Sequence, residues 1–296
     1  MKVVLLDVLR GSMHDGPGFR TTIFIKGCPL RCQWCHNPES QEMQPQLSYN
    51  ASRCKTCGAC VAVCERGVHS IVDGLHKVDY QKCIACGACE KACVYKAVSI
   101  YGYYAEPREV YDIVIRDKAF YDFSGGGITI SGGEPLMHAE FCRTLMEMCY
   151  KDNIHTAIET SGFCSAENLR TIMPYTGLFL FDWKLSEASE AQKYTGQSCE
   201  TIQRNLRMLL DSGANVILRC PIIPGVNDTQ VHFDSIRKLL DEYPDLSAEI
   251  LPYHNFGRGK AENINVVQKE FEVPTEDTVN GYLKCFEKYG QRVKRG

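Results

Sequence analysis

Cys28, Cys32 and Cys35 stand in the spacing C-x3-C-x2-C within the stretch IKGCPLRCQWCHNPES, residues 25–40. A disulfide takes two cysteines, and a structural zinc site or an ordinary iron–sulfur cube takes four. Three thiolates on a 4Fe–4S cube leave one iron without a protein ligand, free to chelate a small molecule. Cysteine is abundant throughout, 17 of 296 residues, with eight between Cys54 and Cys93. Reduced cytosolic thiols at this density point to metal chemistry rather than to a disulfide framework. The other six, Cys142, Cys149, Cys164, Cys199, Cys220 and Cys285, are scattered among apolar neighbours and mostly read as small buried hydrophobes.

CKTCGACVAVC (Cys54, Cys57, Cys60, Cys64) and CIACGACEKAC (Cys83, Cys86, Cys89, Cys93) repeat C-x2-C-x2-C-x3-C at an offset of 29 residues. This is the bacterial two-cluster ferredoxin pattern, in which the fourth cysteine of each run reaches the other cube. One cube is then expected on Cys54, Cys57, Cys60 and Cys93, and the second on Cys83, Cys86, Cys89 and Cys64. Gly58 and Gly87 fall where the backbone must turn close to the sulfides. Glu65 and Val94 replace the proline usual after the fourth cysteine. A pair of zinc sites is the competing reading. From about Ala51 to Tyr101 no long amphipathic helix is legible, and the segment reads as an inserted small domain.

Outside that segment, short apolar runs alternate with helical patterns. RTTIFIKG delivers Cys28 at its end; GGITISGGEP runs into Gly132, Gly133 and Glu134; HTAIETSG into Glu159. GLFLFDWK ends at Asp182 and Lys184, NVILRCPIIPG carries Arg219, and AEILPYH ends at His254. Six such units, with amphipathic helices between them, predict a parallel α/β sheet folded as a partial, open (β/α)6 barrel. Ligands in such folds bind at the carboxyl ends of the strands. Singly, His254 reads as a core histidine and Asp182 with Lys184 as an exposed pair; six strands converging polar groups on one rim argue for a site. The expected division is 1–50 and 102–296 for the barrel, with 51–101 as the insertion.

The net charge of −3 offers no basic patch for a nucleic-acid backbone. The longest early apolar run, VVLLDVL, is short and broken by Asp7, so no membrane span is expected and the setting is read as cytoplasmic.

At this point the chain resembles the radical S-adenosylmethionine superfamily, whose signature is C-x3-C-x2-C after a barrel strand and a Gly-Gly-Glu stretch after the next. HDGPGFRTTIFIKGCPLRCQWCHNPES, SGGGITISGGEP, FDWK and LPYHNFG together are similar to the activating enzymes of glycyl radical enzymes, over nearly the whole chain. Phe19 stands where that family usually has isoleucine. The resemblance implies reductive cleavage of S-adenosylmethionine to a 5′-deoxyadenosyl radical, which takes a hydrogen atom from a glycine of a partner enzyme. It implies cluster ligands Cys28, Cys32 and Cys35, and cofactor contacts at Trp34 and His36 (largely through backbone), Gly133, Asp182, Lys184, Arg219 and His254. A monovalent cation between Glu159 and Asp182 is a further expectation, with an ion pair from Glu159 to Lys184 or Arg219 as the plain alternative. Asp15, Gly16, Pro17 and Gly18 would face the partner. Three 4Fe–4S clusters, a flavodoxin- or ferredoxin-type reductant and a monomeric chain complete the expectation, the inserted clusters relaying electrons. Competing readings are another protein-modifying enzyme of the superfamily, such as a sulfatase-maturing type, and an electron-transfer protein that leaves S-adenosylmethionine intact.

Overall fold

The computed structural model describes residues 1–296, and its centre is an open sheet of nine strands. The chain begins with β1 (Val3–Ser12) and β2 (Arg20–Ile25), an antiparallel pair. The cysteine-rich segment follows with β3 (Gln46–Tyr49), β4 (His69–Val72), β5 (Leu75–Val78) and β6 (Val98–Tyr101). The chain then returns through β7 (Tyr103–Ala105) to β8 (Gly127–Gly132), β9 (His155–Thr160), β10 (Leu178–Asp182), β11 (Val216–Ile222), β12 (Ser247–Pro252) and β13 (Val293–Arg295). Across the large sheet the order is β13-β12-β11-β10-β9-β8-β2-β1-β7. From β2 to β13 every neighbouring pair is parallel, while β1 runs antiparallel to both β2 and β7.

The six strands expected from the apolar runs are β2 and β8 to β12, in sequence order across the sheet. Each is joined to the next by helices, as parallel pairing requires. The strand β1 and the two edge strands, β7 and β13, are additions to the sequence reading. VVLLDVL is the start of β1, and its first three residues are buried.

Side chains alternate across the sheet, and the alternation separates two chemistries. One face carries Ile23, Ile25, Ile130, Ile158, Phe181 and Leu218, all fully buried, which pack with the helices into the main core. The register places Arg20, Thr22, Thr129, Ser131, Glu159, Asp182, Arg219 and Glu249 on the opposite face. Ala157, Leu178 and Leu180 form a small apolar cluster toward the amino ends of the same face. Ser131, Glu159 and Asp182 are thereby left at the carboxyl ends of their strands, with Arg219 and Glu249 level with Asp182, whereas Arg20 opens β2 at the other end.

In the cysteine-rich segment β3 pairs with β6 and β4 with β5, each antiparallel, around two five-residue helices, Ala59–Val63 and Ala88–Ala92. Of the six scattered cysteines, Cys142, Cys149, Cys199 and Cys220 are buried, while Cys164 and Cys285 are partly exposed. No helix is long and apolar enough to cross a membrane.

Candidate functional site

The loop after β2 holds Cys28, Cys32 and Cys35, and backbone hydrogen bonds fix it at several points. The Gly27 amide donates to Ser40 at 2.7 Å, Cys28 to Gln41 at 3.0 Å, Arg31 to Thr195 at 2.7 Å and Gln33 to Tyr194 at 3.0 Å. Beneath it, Lys26 is fully buried; its ammonium donates to the Glu39 carbonyl and to Gln46 at 2.8 Å, and burial lowers it to about 8. Burial raises all three thiols, Cys28 to about 12. The Lys184 charge acts on each of them. Trp34 is buried in a second apolar cluster with Leu185, Tyr194 and Tyr253, so its indole is committed to packing. The His36 ring stacks on His254 at 3.8 Å, and burial with His254 lowers His36 to about 4. His36 Nε2 and His254 Nδ1 are buried without a protein partner. Gly257 lets these parts meet, since a Cβ there would lie 2.2 Å from the Cys35 carbonyl oxygen.

The Gly-Gly-Glu stretch divides its work. A Cβ on Gly133 would lie 2.2 Å from the Gly27 carbonyl oxygen, so only glycine fits against the cysteine loop. Its amide donates to Ile25 at 2.8 Å. Glu134 is fully buried and accepts from Thr160 Oγ1 at 2.7 Å, from the Ser161 amide at 2.9 Å and hydroxyl, and from the Leu136 amide at 3.1 Å. It ties the ends of β8 and β9 together. The sequence marked it as a strand end and as part of the Gly-Gly-Glu stretch, with no role of its own.

Across the rim, Asp182 pairs with Lys184 at 2.6 Å, both side chains largely buried rather than exposed. Burial alone would lower the Lys184 ammonium, but the charge and hydrogen bond of Asp182 hold it above its ordinary value. Arg219 pairs with Glu159 at 2.7 Å and approaches Glu249 at 3.7 Å; Glu159 in turn accepts from Ser131. Burial pushes the Glu159 carboxyl up, and Arg219 draws it back. The pairing of Glu159 with Arg219 is the plain alternative of the sequence reading.

The loop from Asp15 to Gly18 lies against the polar face. Asp15 accepts from Ser12 and Thr22 hydroxyls, both at 2.6 Å, and its carbonyl accepts from Thr129 at 2.6 Å. The Arg20 guanidinium, fully buried, donates to the Pro17 carbonyl at 3.0 Å and to Thr129 at 2.6 Å. Beside the loop, Phe19 stacks on Phe120 at 5.1 Å, and Phe123 is 95% exposed.

The cysteine-rich segment holds two small cavities of about 20 Å³ each. Cys54, Cys57, Cys60 and Cys93 line the first, and Cys64, Cys83, Cys86 and Cys89 the second. Each run thus sends its fourth cysteine across to the other cavity. Gly58 and Gly87 take left-handed φ of 79° and 78° at matching turns. The sequence reading did not single out His76, which lines the first cavity, or His69, which lines the second. Burial lowers both rings, His69 to about 4 with help from His76.

Comparison with known proteins bears on this arrangement. The Radical SAM superfamily model matches residues 80–234, and a 4Fe-4S single cluster domain model matches residues 14–76. The chain is 36% identical, over all of both chains, to the trans-4-hydroxy-L-proline dehydratase activating enzyme of Clostridioides difficile. It is 38% identical to the choline trimethylamine-lyase activating enzyme of Oleidesulfovibrio alaskensis, over 88% of this chain and 86% of that one. The crystal structure of Streptococcus suis SuiB bound to precursor peptide SuiA shares the fold, with a TM-score of 0.54 at 11% identity over 91% of this chain and 46% of that one.

Proposed function

The chain belongs to the activating enzymes of glycyl radical enzymes, within the radical S-adenosylmethionine superfamily, and from that membership we propose how its residues divide the work. Its activity is reductive cleavage of S-adenosylmethionine and installation of a glycyl radical on a partner enzyme. When bound, the reduced 4Fe–4S cluster and S-adenosylmethionine supply a 5′-deoxyadenosyl radical that takes a hydrogen atom from the partner's glycine.

Cys28, Cys32 and Cys35 hold that cluster. The observation that carries this reading is one loop bringing three half-buried thiols to the rim where Lys184 stands bonded to Asp182. Metal binding deprotonates such thiols outright, which removes the penalty that burial places on free thiolates. Asp182 and Lys184 bind the ribose and carboxylate of the ligand, and Arg219 helps to complete the pocket. His36 and His254 complete it, each with a buried ring nitrogen that no protein group partners. Trp34 contacts it through backbone alone. With the Gly133 amide already bonded to Ile25, the carbonyl is the group left for the methionyl amine. The loop from Asp15 to Gly18, flanked by exposed Phe120 and Phe123, faces the partner's glycine.

The test is anaerobic incubation of iron–sulfur-reconstituted protein with S-adenosylmethionine, reductant and a glycyl radical enzyme. The expected products are 5′-deoxyadenosine and the doublet of a glycyl radical in electron paramagnetic resonance. Formation of 5′-deoxyadenosine with no protein radical on any glycyl radical enzyme of the source organism would overturn the activase reading.

The crossed lining of the two cavities supports a two-cluster insertion, and so three clusters in all. A flavodoxin or ferredoxin would feed the insertion, which relays electrons toward the radical cluster of a monomeric chain. The insertion is proposed at residues 51–101, with β3, just before it, pairing with β6 at its end.

Asp15, Glu159, Asp182 and Glu249 all act on Arg219, so carboxylates crowd this rim. A monovalent cation beside the ligand's own carboxylate would help balance them, although Glu159 and Asp182 each hold a cationic side chain already. Exchanging sodium, potassium and lithium at constant ionic strength is then expected to change the rate of 5′-deoxyadenosine formation, and Asp182→Asn to erase that sensitivity. A rate indifferent to the ion leaves the two ion pairs as the whole arrangement.

A further inference from the structure

The repeat that carries Cys54 onto Cys83 extends past the cysteines. The same shift carries Thr56 onto Ala85 and Val68 onto Ala97, β3 onto β5, and β4 onto β6. Equivalent amides therefore reach equivalent sulfurs. Around the first cavity Thr56 donates to Cys54 Sγ at 3.4 Å and Ala97 to Cys93 Sγ at 3.3 Å. Around the second, Ala85 donates to Cys83 Sγ at 3.3 Å and Val68 to Cys64 Sγ at 3.4 Å. By these amides alone the two sites are matched.

Several positions differ between the two halves, and at two of them one half carries a histidine where the other carries an aliphatic residue. Leu47 on β3 becomes His76 on β5, and Val98 on β6 becomes His69 on β4. Leu47 and Val98 are buried together in the small core of the segment. The two histidines also meet, with His69 Nδ1 and His76 Nε2 3.0 Å apart. His76 Nδ1 lies 3.5 Å from Cys54 Sγ, its Nε2 lies 3.6 Å from Cys60 Sγ, and the edge of Tyr49 packs against its ring. Cys60, His69 and His76 converge as ligands of an ion would. Cys60 already belongs to the first set of four, however, so a separate ion there would strip the cube of a ligand.

The protons can be assigned from charge. A neutral imidazole has one N–H, and a ligating cysteine is a thiolate, which accepts a hydrogen bond and repels a bare ring nitrogen. Either neutral tautomer of His76 leaves one bare nitrogen near a thiolate, Nδ1 by Cys54 or Nε2 by Cys60, but only Nε2 has another donor at hand, His69 Nδ1 at 3.0 Å. His76 therefore carries its proton on Nδ1, toward Cys54, and its Nε2 accepts from His69 Nδ1. The chain of donors runs from His69 through His76 to the Cys54 sulfur. His69 Nε2, buried without a partner, is then a bare acceptor rather than an orphaned donor.

We propose that the His69–His76 pair makes the two insertion clusters electrochemically inequivalent, His76 raising the potential of the cluster on Cys54, Cys57, Cys60 and Cys93. The proposal rests on the two-cluster reading above. Reduction adds negative charge to the sulfurs, so one further N–H donor stabilises the reduced form more than the oxidised one. His69 is a positioning residue that holds the donor in its tautomer. An electron entering the insertion then settles on the first cluster instead of being shared evenly, which gives the relay a preferred resting place.

The test is a redox titration of the reconstituted full chain, followed by electron paramagnetic resonance and paired with iron and zinc analysis. His76→Phe is expected to lower the one-electron reduction constant of a single wave by about tenfold, ~59 mV. That wave should be the one missing in Cys57→Ala. His76→Gln retains an N–H donor and should keep most of the unsubstituted potential, whereas His69→Leu should shift the same wave by less. Three intact clusters with unmoved waves in His76→Phe would overturn the proposal, as would a shift in the wave that Cys86→Ala removes. Should His76→Phe fail to load its first cluster, an unmoved wave in His69→Leu overturns it instead. Zinc, or iron for one cluster alone, in the unsubstituted chain would overturn the two-cluster reading itself, a result read before any potential is measured.

Discussion

Replacing Cys28, Cys32 or Cys35 singly by alanine is expected to reduce 5′-deoxyadenosine formation to background and to remove about one third of the iron, one cube of three. The loop should survive the change, because its attachments are backbone ones. Gly27 to Ser40, Arg31 to Thr195 and Gln33 to Tyr194 do not involve sulfur. What is lost is one of only three anchors, with no fourth cysteine near to compensate. The inserted segment is closed by its own pairs, β3 with β6 and β4 with β5, so its clusters should keep their signals. Cys142→Ala is the control. That thiol is fully buried and donates to the Pro135 carbonyl, so the substitution opens a small cavity and leaves iron and activity in place. Loss of all the iron in Cys28→Ala would mean that the three sites do not load independently.

The parallel strands were legible because each is a short β-branched or aromatic run that ends in a polar residue, a pattern set by burial on both faces. β1, β7 and β13 were not. β1 is buried only over its first residues and then emerges into solvent, so it lacks a clean period; β7 and β13 are three residues each. At the site, convergence on one rim followed from strand order, which brings Glu159, Asp182 and Arg219 onto adjacent strands. The roles of Glu134, Arg20 and Lys26 did not follow. A lysine before a glycine reads as solvated until the chain folds back over it, and only tertiary structure supplies the Glu39 carbonyl and Gln46 as its acceptors. In the insertion the cysteines announced the repeat. The histidines did not stand out, because their meaning lies in which apolar residues they replace.

Asp15→Ala is expected to separate the two halves of the activity, lowering glycyl radical yield by about 100-fold while 5′-deoxyadenosine formation falls far less. Asp15 stands away from the cysteine loop, and its carboxylate is the anchor that accepts from both Ser12 and Thr22. Alanine removes both bonds and leaves the loop held by the Asp15 carbonyl and by Arg20 on Pro17. A loop so loosened still covers the face but no longer fixes where a glycine arrives. Hydrogen abstraction depends steeply on the separation of the reacting atoms, whereas cleavage of the cofactor depends on groups at the rim that the substitution does not touch. Asp15→Asn, which keeps an acceptor oxygen, should recover most of the yield. The charge on Asp15 also acts on Glu159 and Arg219, and this gives the experiment its discriminating outcome. If both products fall together, and fall as far in Asp15→Asn, the residue works through the charge of the rim. If the radical alone is lost and Asn restores it, the loop works by position, as its hydrogen bonds imply.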